Sequence, residues 1–144
     1  MTALALQPAL PAMSQAAIDL ARRMTEQVFK LPQVPLKTEH AFHAGLYART
    51  IRVPAQTILP SALIRIPTLV ILEGHAEVYI GEAAPLALKG YNVLPASAGR
   101  KLVYVTHSLV NITMLFATDA TTVEAAEREF TDEYALLGSR REGA

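Results

Sequence analysis

The chain has 144 residues, of which 51% are hydrophobic and 18% are charged, and this length suits one domain with one hydrophobic core. Its 13 basic residues balance 13 acidic residues, so it lacks the basic excess of a typical nucleic-acid-binding protein. It contains no cysteine, which excludes disulfides, thiolate nucleophiles and zinc–cysteine sites.

Residues 1–13 form an apolar arm that is interrupted by Pro8 and Pro11. The arm has neither an early basic residue nor an unbroken apolar core, so we expect no secretory signal peptide. No apolar run in the chain reaches the ~18 residues that span a bilayer, so we expect no membrane partner. The leucines of the arm are candidates for contacts with a neighbouring subunit: Leu4, Leu6 and Leu10.

Residues 14–37 are predicted to form a helix, over about 14–29, and a Pro-rich linker. Ser14 is a candidate N-cap, and Pro32 and Pro35 are expected to keep the chain from continuing as a helix. Apolar residues recur on one face of this helix, as in an amphipathic helix that packs on a core. These residues are Ala17, Leu20, Ala21, Met24 and Val28.

Residues 38–118 consist of short β-rich runs that are separated by turn residues. The turn signals at Glu73–Gly74 and Lys89–Gly90 are expected to separate strands. Strands are predicted at 46–53, 62–66, 68–72, 75–80, 91–94, 101–106 and 109–116. About seven or eight runs at this spacing predict an all-β protein, an antiparallel β-sandwich or jelly roll.

The run Leu46–Val53 shows the alternation of a strand with two different faces. One face carries Tyr47, Arg49, Ile51 and Val53, and the other carries the residues between them.

Residues 119–144 are predicted to form an amphipathic, acidic helix and a tail. Thr121 and Glu124 have the spacing of a capping box, and Gly138 is expected to end the helix. Phe130 and Tyr134 are candidates for subunit contacts, although a stripe of this kind more often docks on the sandwich itself. The full apolar stripe is Val123, Ala126, Phe130, Tyr134 and Leu137.

Two segments of the central region carry a resemblance to a known family. The run Ile64-Arg65-Ile66-Pro67 precedes Leu69–Gly74, and Gly90–Pro95 precedes Gly99-Arg100-Lys101-Leu102. These segments resemble the two motifs of the cupin superfamily, which has a jelly-roll fold. More narrowly, the run Leu46–Ala55 resembles small cupin-like proteins of tailed phages and prophages.

The resemblance also concerns a metal site. The positions that carry metal-binding histidines in cupins are aligned with Ile64, Ile66 and Leu102. A cupin metal needs two or three imidazoles that converge on one ion, and aliphatic side chains supply no ligand. The resemblance therefore implies a metal-free barrel that is filled by packed core or holds at most an apolar pocket. We expect no cofactor, no catalytic residue and no enzymatic activity.

The four histidines of the chain are the remaining candidates for metal ligands. His40 and His43 form an H-x-x-H pair that could present two nitrogens on one face of a helix. The pair lies between the Pro-rich linker and Gly45 with no evident third ligand, so a surface or interface role is favoured. His75 and His107 are expected to be loop residues that face solvent.

Basic residues outnumber acidic residues in the β-region. They are Arg49, Arg52, Arg65, Arg100 and Lys101, against Glu73, Glu77 and Glu82. They could form a patch for an anionic ligand, in which case Arg49, Arg100 and Tyr104 are the candidate contacts. The alternative is that they point outwards and pair with the acidic C-terminal helix, and this alternative is favoured.

Two functions remain open. The first is a non-enzymatic structural protein that forms homo-oligomers and assembles with a partner such as a capsid subunit. The phage resemblance then implies a virion component of the capsid decoration or cement type, located in the virion if phage-encoded and otherwise in the cytoplasm. The second is a small-molecule-binding or metal-independent catalytic cupin that uses the barrel mouth, where Tyr47, Tyr79, Tyr104, Arg49 and Arg100 are the available polar residues. A filled barrel favours the first function, and a cavity with ordered polar groups favours the second.

Overall fold

The computed structural model describes residues 8–81 and 83–137. Helix α1 spans Gln15–Phe29 and helix α2 spans Val123–Phe130. Between them lie seven strands: β1 Lys37–His43, β2 Leu46–Val53, β3 Ile58–Pro60, β4 Thr68–Tyr79, β5 Leu86–Ala96, β6 Val103–Thr106 and β7 Val110–Ala117. The predicted all-β core with a helix towards each end is confirmed. Four residues that the sequence singled out lie outside the described residues: Leu4, Leu6, Glu82 and Gly138.

Helix α1 begins where the sequence predicts. The Ser14 hydroxyl accepts a hydrogen bond from the Ala17 N–H at 3.1 Å, which satisfies one of the free donors of the first turn. The helix buries Ala17, Ile18 and Ala21 against the sheet. In the part of the chain that the structure describes, no helix combines the length and apolar character needed to cross a membrane.

The strands form one curled antiparallel sheet, organised around β4. Strand order is β1-β2-β7-β4-β6-β3, and β5 pairs with β4 on its other edge. One edge of β4 pairs with β7 over Leu69–Glu73 and then with β6 over Ala76–Tyr79. Because one strand serves two partners in succession, the sheet curls there and places β2, β6 and β7 around a common interior.

Strands β4 and β5 are longer than predicted, and the turns predicted at Glu73–Gly74 and Lys89–Gly90 are wrong. Gly74 and Gly90 instead lie opposite each other in the β4–β5 pairing. Buried side chains keep the same two-residue period on both sides of Gly74, at Val70, Leu72, Ala76 and Val78. A preserved period means that the strand continues through the glycine.

Two strands were not predicted, and one predicted strand is not formed. Strand β1 completes a hairpin with β2, and β3 pairs with β6. The predicted strand at 62–66 contributes one bridge, between Ile64 and Arg100. The backbone on either side of Ile64 bonds instead to the C-terminal segment: the Leu63 N–H donates to Glu133 and the Arg65 N–H donates to the Phe130 carbonyl.

Helix α2 is shorter than predicted. It is capped by Thr122, not Thr121, since the Thr122 hydroxyl accepts from the Ala125 N–H. It ends at Phe130 because Thr131 is extended and its hydroxyl donates to the Leu63 carbonyl at 2.6 Å. A 3₁₀ turn over Tyr134–Leu136 follows.

Two of the candidate interface residues are buried within the chain itself. Leu10 is fully buried, and its backbone bridges to the end of β5: its N–H donates to the Pro95 carbonyl at 2.8 Å and its carbonyl accepts from Ser97. Phe130 is also buried, in a cluster with Tyr47 and Phe116. Neither side chain is therefore available to a neighbouring subunit. Tyr134 is half-buried, with the Arg128 guanidinium over its ring.

Candidate functional site

A partly open cavity of about 110 Å³ lies between strands β2, β6 and β7 and the segment that follows α2. Most of its wall is apolar, including Ile51, Leu59, Val70 and Ile112. An apolar cavity of about 150 Å³ is large enough to hold benzene. The barrel interior is therefore not completely filled, and the space suits a small organic molecule.

The positions aligned with cupin metal ligands lie in or beside this cavity. Ile64 and Leu102 line it, whereas Ile66 is half-buried against the cluster around Phe130. Within residues 8–81 and 83–137, no group of three or more His, Asp or Glu side chains is placed to hold a metal ion. Ile64, Ile66 and Leu102 have aliphatic side chains that supply no ligand, so these three positions do not fit a metal ion.

The structure separates the H-x-x-H histidines. Both lie in strand β1, where residues three apart point to opposite faces, so the helical pair of the less favoured metal alternative is not formed. His40 Nδ1 lies 2.7 Å from the Tyr47 hydroxyl, and the two rings stack. His75 and His107 have ring centroids 4.8 Å apart, and His107 Nε2 is 3.7 Å from a Glu77 carboxylate oxygen.

Arg49 enters the cavity wall from β2. The predicted alternation of this strand is confirmed, because Tyr47, Arg49 and Val53 are buried. Arg49 donates to the Glu127 carboxylate at 2.9 Å, and the two side chains are 4% and 1% exposed. The expected pairing with the acidic C-terminal helix is therefore present, but the pair is buried and does not point outwards.

Lys101 forms a second buried pair that fixes the C-terminal segment beside the cavity. Its ammonium donates to Glu133 at 3.0 Å and to the Ser61 carbonyl at 2.9 Å. Glu133 also accepts from the Leu63 N–H at 2.6 Å. The residues just beyond, Leu136 and Leu137, line the cavity, so this pair holds part of its wall.

Stability is expected to fall at acid pH through Glu133. Burial raises its pKa, but hydrogen bonds from Leu63 and Lys101 and the charges of Lys101 and Arg22 outweigh burial and hold the pKa below 4.5. A carboxyl group with a lowered folded-state pKa stabilises the protein above its unfolded-state pKa, and this stabilisation is lost as pH falls through the folded-state value. Urea midpoints between about pH 6 and pH 3 should therefore fall less in Glu133→Gln than in the wild type. Asp119→Asn, at an exposed residue, is the control. If the urea midpoint falls equally with pH in the wild type and in both variants, the expectation is contradicted.

Arg100 is the third buried cation, and its recorded partners are all neutral. It donates to the Ser97 carbonyl at 2.8 Å and to the Thr68 hydroxyl at 2.6 Å, with a longer contact to the Ile66 carbonyl at 3.4 Å. Among the described residues, no carboxylate lies within 4.0 Å of it. Burial lowers the pKa of Arg100, with Tyr104 acting in the opposite direction, but an arginine stays charged in proteins.

Tyr104 lies beside this charge in the cavity wall. Burial raises the pKa of Tyr104 to about 12, although the charge of Arg100 acts to lower it. The hydroxyl therefore stays protonated at neutral pH and can donate a hydrogen bond.

The candidate contacts Arg49, Arg100 and Tyr104 thus line one cavity, whereas Tyr47 and Tyr79 do not line it. Thr38, also in the wall, was not singled out, because strand β1 was not predicted. Thr38 lies directly opposite Ile51 in the β1–β2 pairing, and both residues line the cavity.

No protein-family model and no curated protein matches the sequence. Solved structures that resemble the fold include cupin-family proteins. A cupin-family protein from Methanocaldococcus jannaschii is 12% identical with a TM-score of 0.48, over 61% of this chain and 85% of that one. A cupin domain from Schizosaccharomyces pombe is 19% identical with a TM-score of 0.46, over 71% and 72%. Ectoine synthase from P. lautus is 10% identical with a TM-score of 0.49, over 69% and 76%. These likenesses carry no conclusion about function.

Proposed function

We propose that this protein binds a small organic molecule in the cavity of its curled sheet. The observation that supports the proposal is the cavity itself, an apolar space into which Arg49, Arg100 and Tyr104 bring polar groups. A predominantly apolar wall with a few fixed polar groups is typical of small-molecule sites. The proposal follows the second of the two functions that the sequence left open.

The energetic cost of the cavity supports a binding role. Protein interiors are close-packed, with few voids larger than a water molecule. The side chains around a cavity of about 110 Å³ lack the packing contacts that a filled interior would give them. A protein that needed the barrel only as a rigid support would gain stability from larger apolar side chains at Ala62 or Ile64.

Binding is favoured over catalysis by the residue types in the wall. The described lining residues include no Asp, Glu or His, the side chains that most often act as general bases. Tyr104 is held in its protonated form, and Arg49 is paired with Glu127. The wall can hold and orient a ligand, and it offers no group poised to remove a proton.

A role in assembly is the second candidate, supported by exposed apolar side chains. Phe42 and Leu46 lie at the end of the β1–β2 hairpin, and they are 36% and 44% exposed. Strand β1 pairs with β2 and with no other described strand. These features suit a homo-oligomer, and the capsid decoration or cement role is proposed only on the phage resemblance.

Native mass spectrometry tests both candidates on the purified protein. The test uses a panel of small acids, amides and amines of about four to nine non-hydrogen atoms. We expect at least one compound to bind one-to-one to the wild type and to the surface control Ala87→Leu, but at least about tenfold more weakly to Ala62→Leu, which fills the cavity. If no compound binds, or if Ala62→Leu binds equally well, the binding proposal is wrong. An oligomer that takes up no compound favours the assembly role.

A further inference from the structure

We infer that the ligand is a small monocarboxylic acid with a compact apolar body, and that its carboxylate pairs with Arg100. The inference rests on the proposed function, since it names the ligand class of the same cavity.

The balance of buried charge points to an anion. Three basic side chains are buried among the described residues: Arg49, Arg100 and Lys101. Arg49 pairs with Glu127 and Lys101 pairs with Glu133, whereas the partners of Arg100 within residues 8–81 and 83–137 are all neutral. A buried charge is strongly unfavourable unless a counter-charge accompanies it. A bound anion would supply for Arg100 what the protein supplies for the other two.

The guanidinium is held in place for such a pair. Two neutral groups, the Ser97 carbonyl and the Thr68 hydroxyl, accept its hydrogen bonds and fix its orientation. The same terminal nitrogen that bonds Thr68 lies 3.7 Å from the sulfur of Met114, a residue of the cavity wall. Hydrogen bonds to three oxygens and to the Met114 sulfur use the four N–H groups of the two terminal nitrogens. A carboxylate would therefore pair with the remaining Nε–H and replace the weak contact to sulfur. The Tyr104 hydroxyl is a further donor beside it.

Size and charge narrow the class to a monoanion. The cavity holds about 110 Å³, which is less than the volume of about 150 Å³ of a cavity that binds benzene, so the ligand is expected to be smaller than a benzene derivative. One unmatched positive charge complements one negative charge, whereas a phosphate monoester carries nearly two at neutral pH. The aliphatic wall around Ile51, Val70 and Ile112 suits a branched or ring-shaped hydrocarbon body.

Isothermal titration calorimetry with matched pairs tests the inference at neutral pH. The pairs are propionate with propionamide and isobutyrate with isobutyramide, which differ in charge and hardly in shape. We expect each carboxylate to bind wild-type protein at least about tenfold more tightly than its amide. In Arg100→Gln this preference should disappear. In Arg100→Lys part of it should remain, because lysine keeps the positive charge but lacks the planar set of N–H donors of the guanidinium.

The wild-type comparison decides the outcome even if the Arg100 variants do not fold. If amides bind as tightly as acids, or if only amines or neutral panel compounds bind, the cavity is a binding site and the assignment of a carboxylate is wrong. If no compound of any class binds, the proposed function fails as well.

Discussion

Replacing Glu127 with leucine is expected to lower the free energy of unfolding by about 3 to 5 kcal/mol. Glu127 and Arg49 are 2.9 Å apart and almost fully buried. The substitution keeps an apolar side chain of similar size but leaves the Arg49 charge in the interior without its carboxylate. An uncompensated buried charge is far more costly than a lost surface pair.

A double substitution separates charge from packing. In Arg49→Met with Glu127→Leu, both charges are removed, and buried pairs replaced by apolar residues often give proteins of equal or higher stability. We therefore expect the double variant to recover most of the loss seen with Glu127→Leu alone. Asp132→Asn, which weakens the exposed pair with Arg65, is the control and should change stability by less than about 1 kcal/mol.

Urea denaturation gives the free energy of unfolding of the wild type, Glu127→Leu, the double variant and Asp132→Asn. A loss below about 1 kcal/mol for Glu127→Leu would mean that the Arg49 charge finds another partner or reaches solvent. A double variant that is no more stable than Glu127→Leu would instead assign the loss to packing.

The sequence predicts the fold best where a strand has one buried face. In Leu46–Val53 the two-residue period separates the two faces of the strand, and the structure shows that the face with Tyr47, Arg49 and Val53 is the inward one. In β4 the same period runs through Gly74, although the composition of Glu73–Gly74 is typical of a turn. The unbroken two-residue spacing of Val70, Leu72 and Ala76 indicates a continuous strand more strongly than the composition of Glu73–Gly74 indicates a turn.

Strand β1 shows the opposite case. Its sequence, Lys37–His43, is mostly polar, and only Thr38 is buried along it. A strand near the edge of a sheet needs little apolar surface, so its alternation is weak. Its partner β2, which lies between β1 and β7, carries the stronger pattern.

The candidate site could be predicted residue by residue but not as a cavity. Arg49 and Tyr104 are polar residues within predicted strands, and Arg100 directly precedes the predicted strand at 101–106. That they meet depends on where the chain goes after Phe130, since Leu136 and Leu137 complete the wall. The helix ends there because Thr131 bonds to the distant Leu63, and the apolar stripe of the C-terminal segment gives no sign of this contact.

Replacing Gly74 with alanine is expected to destabilise the protein by about 2 to 5 kcal/mol. Gly74 has φ +130°, where a side chain is strained, and an added Cβ would lie 2.6 Å from the Leu109 carbonyl oxygen and 3.1 Å from the Val110 Cα. Backbone atoms cannot move aside as the end of a flexible side chain can, so β4 and the turn before β7 would separate.

Gly90→Ala is the matched control for this prediction. Gly90 lies opposite Gly74 in the β4–β5 pairing and also has a positive φ, +77°, but an added Cβ there would meet nothing within 4 Å. Its substitution should cost only the backbone strain, about 1 to 2 kcal/mol. Thermal and urea unfolding of both variants measure the difference. Equal losses would contradict the prediction, whereas a larger loss at Gly74 is expected from the close approach of the β6–β7 turn together with the more strained φ of Gly74.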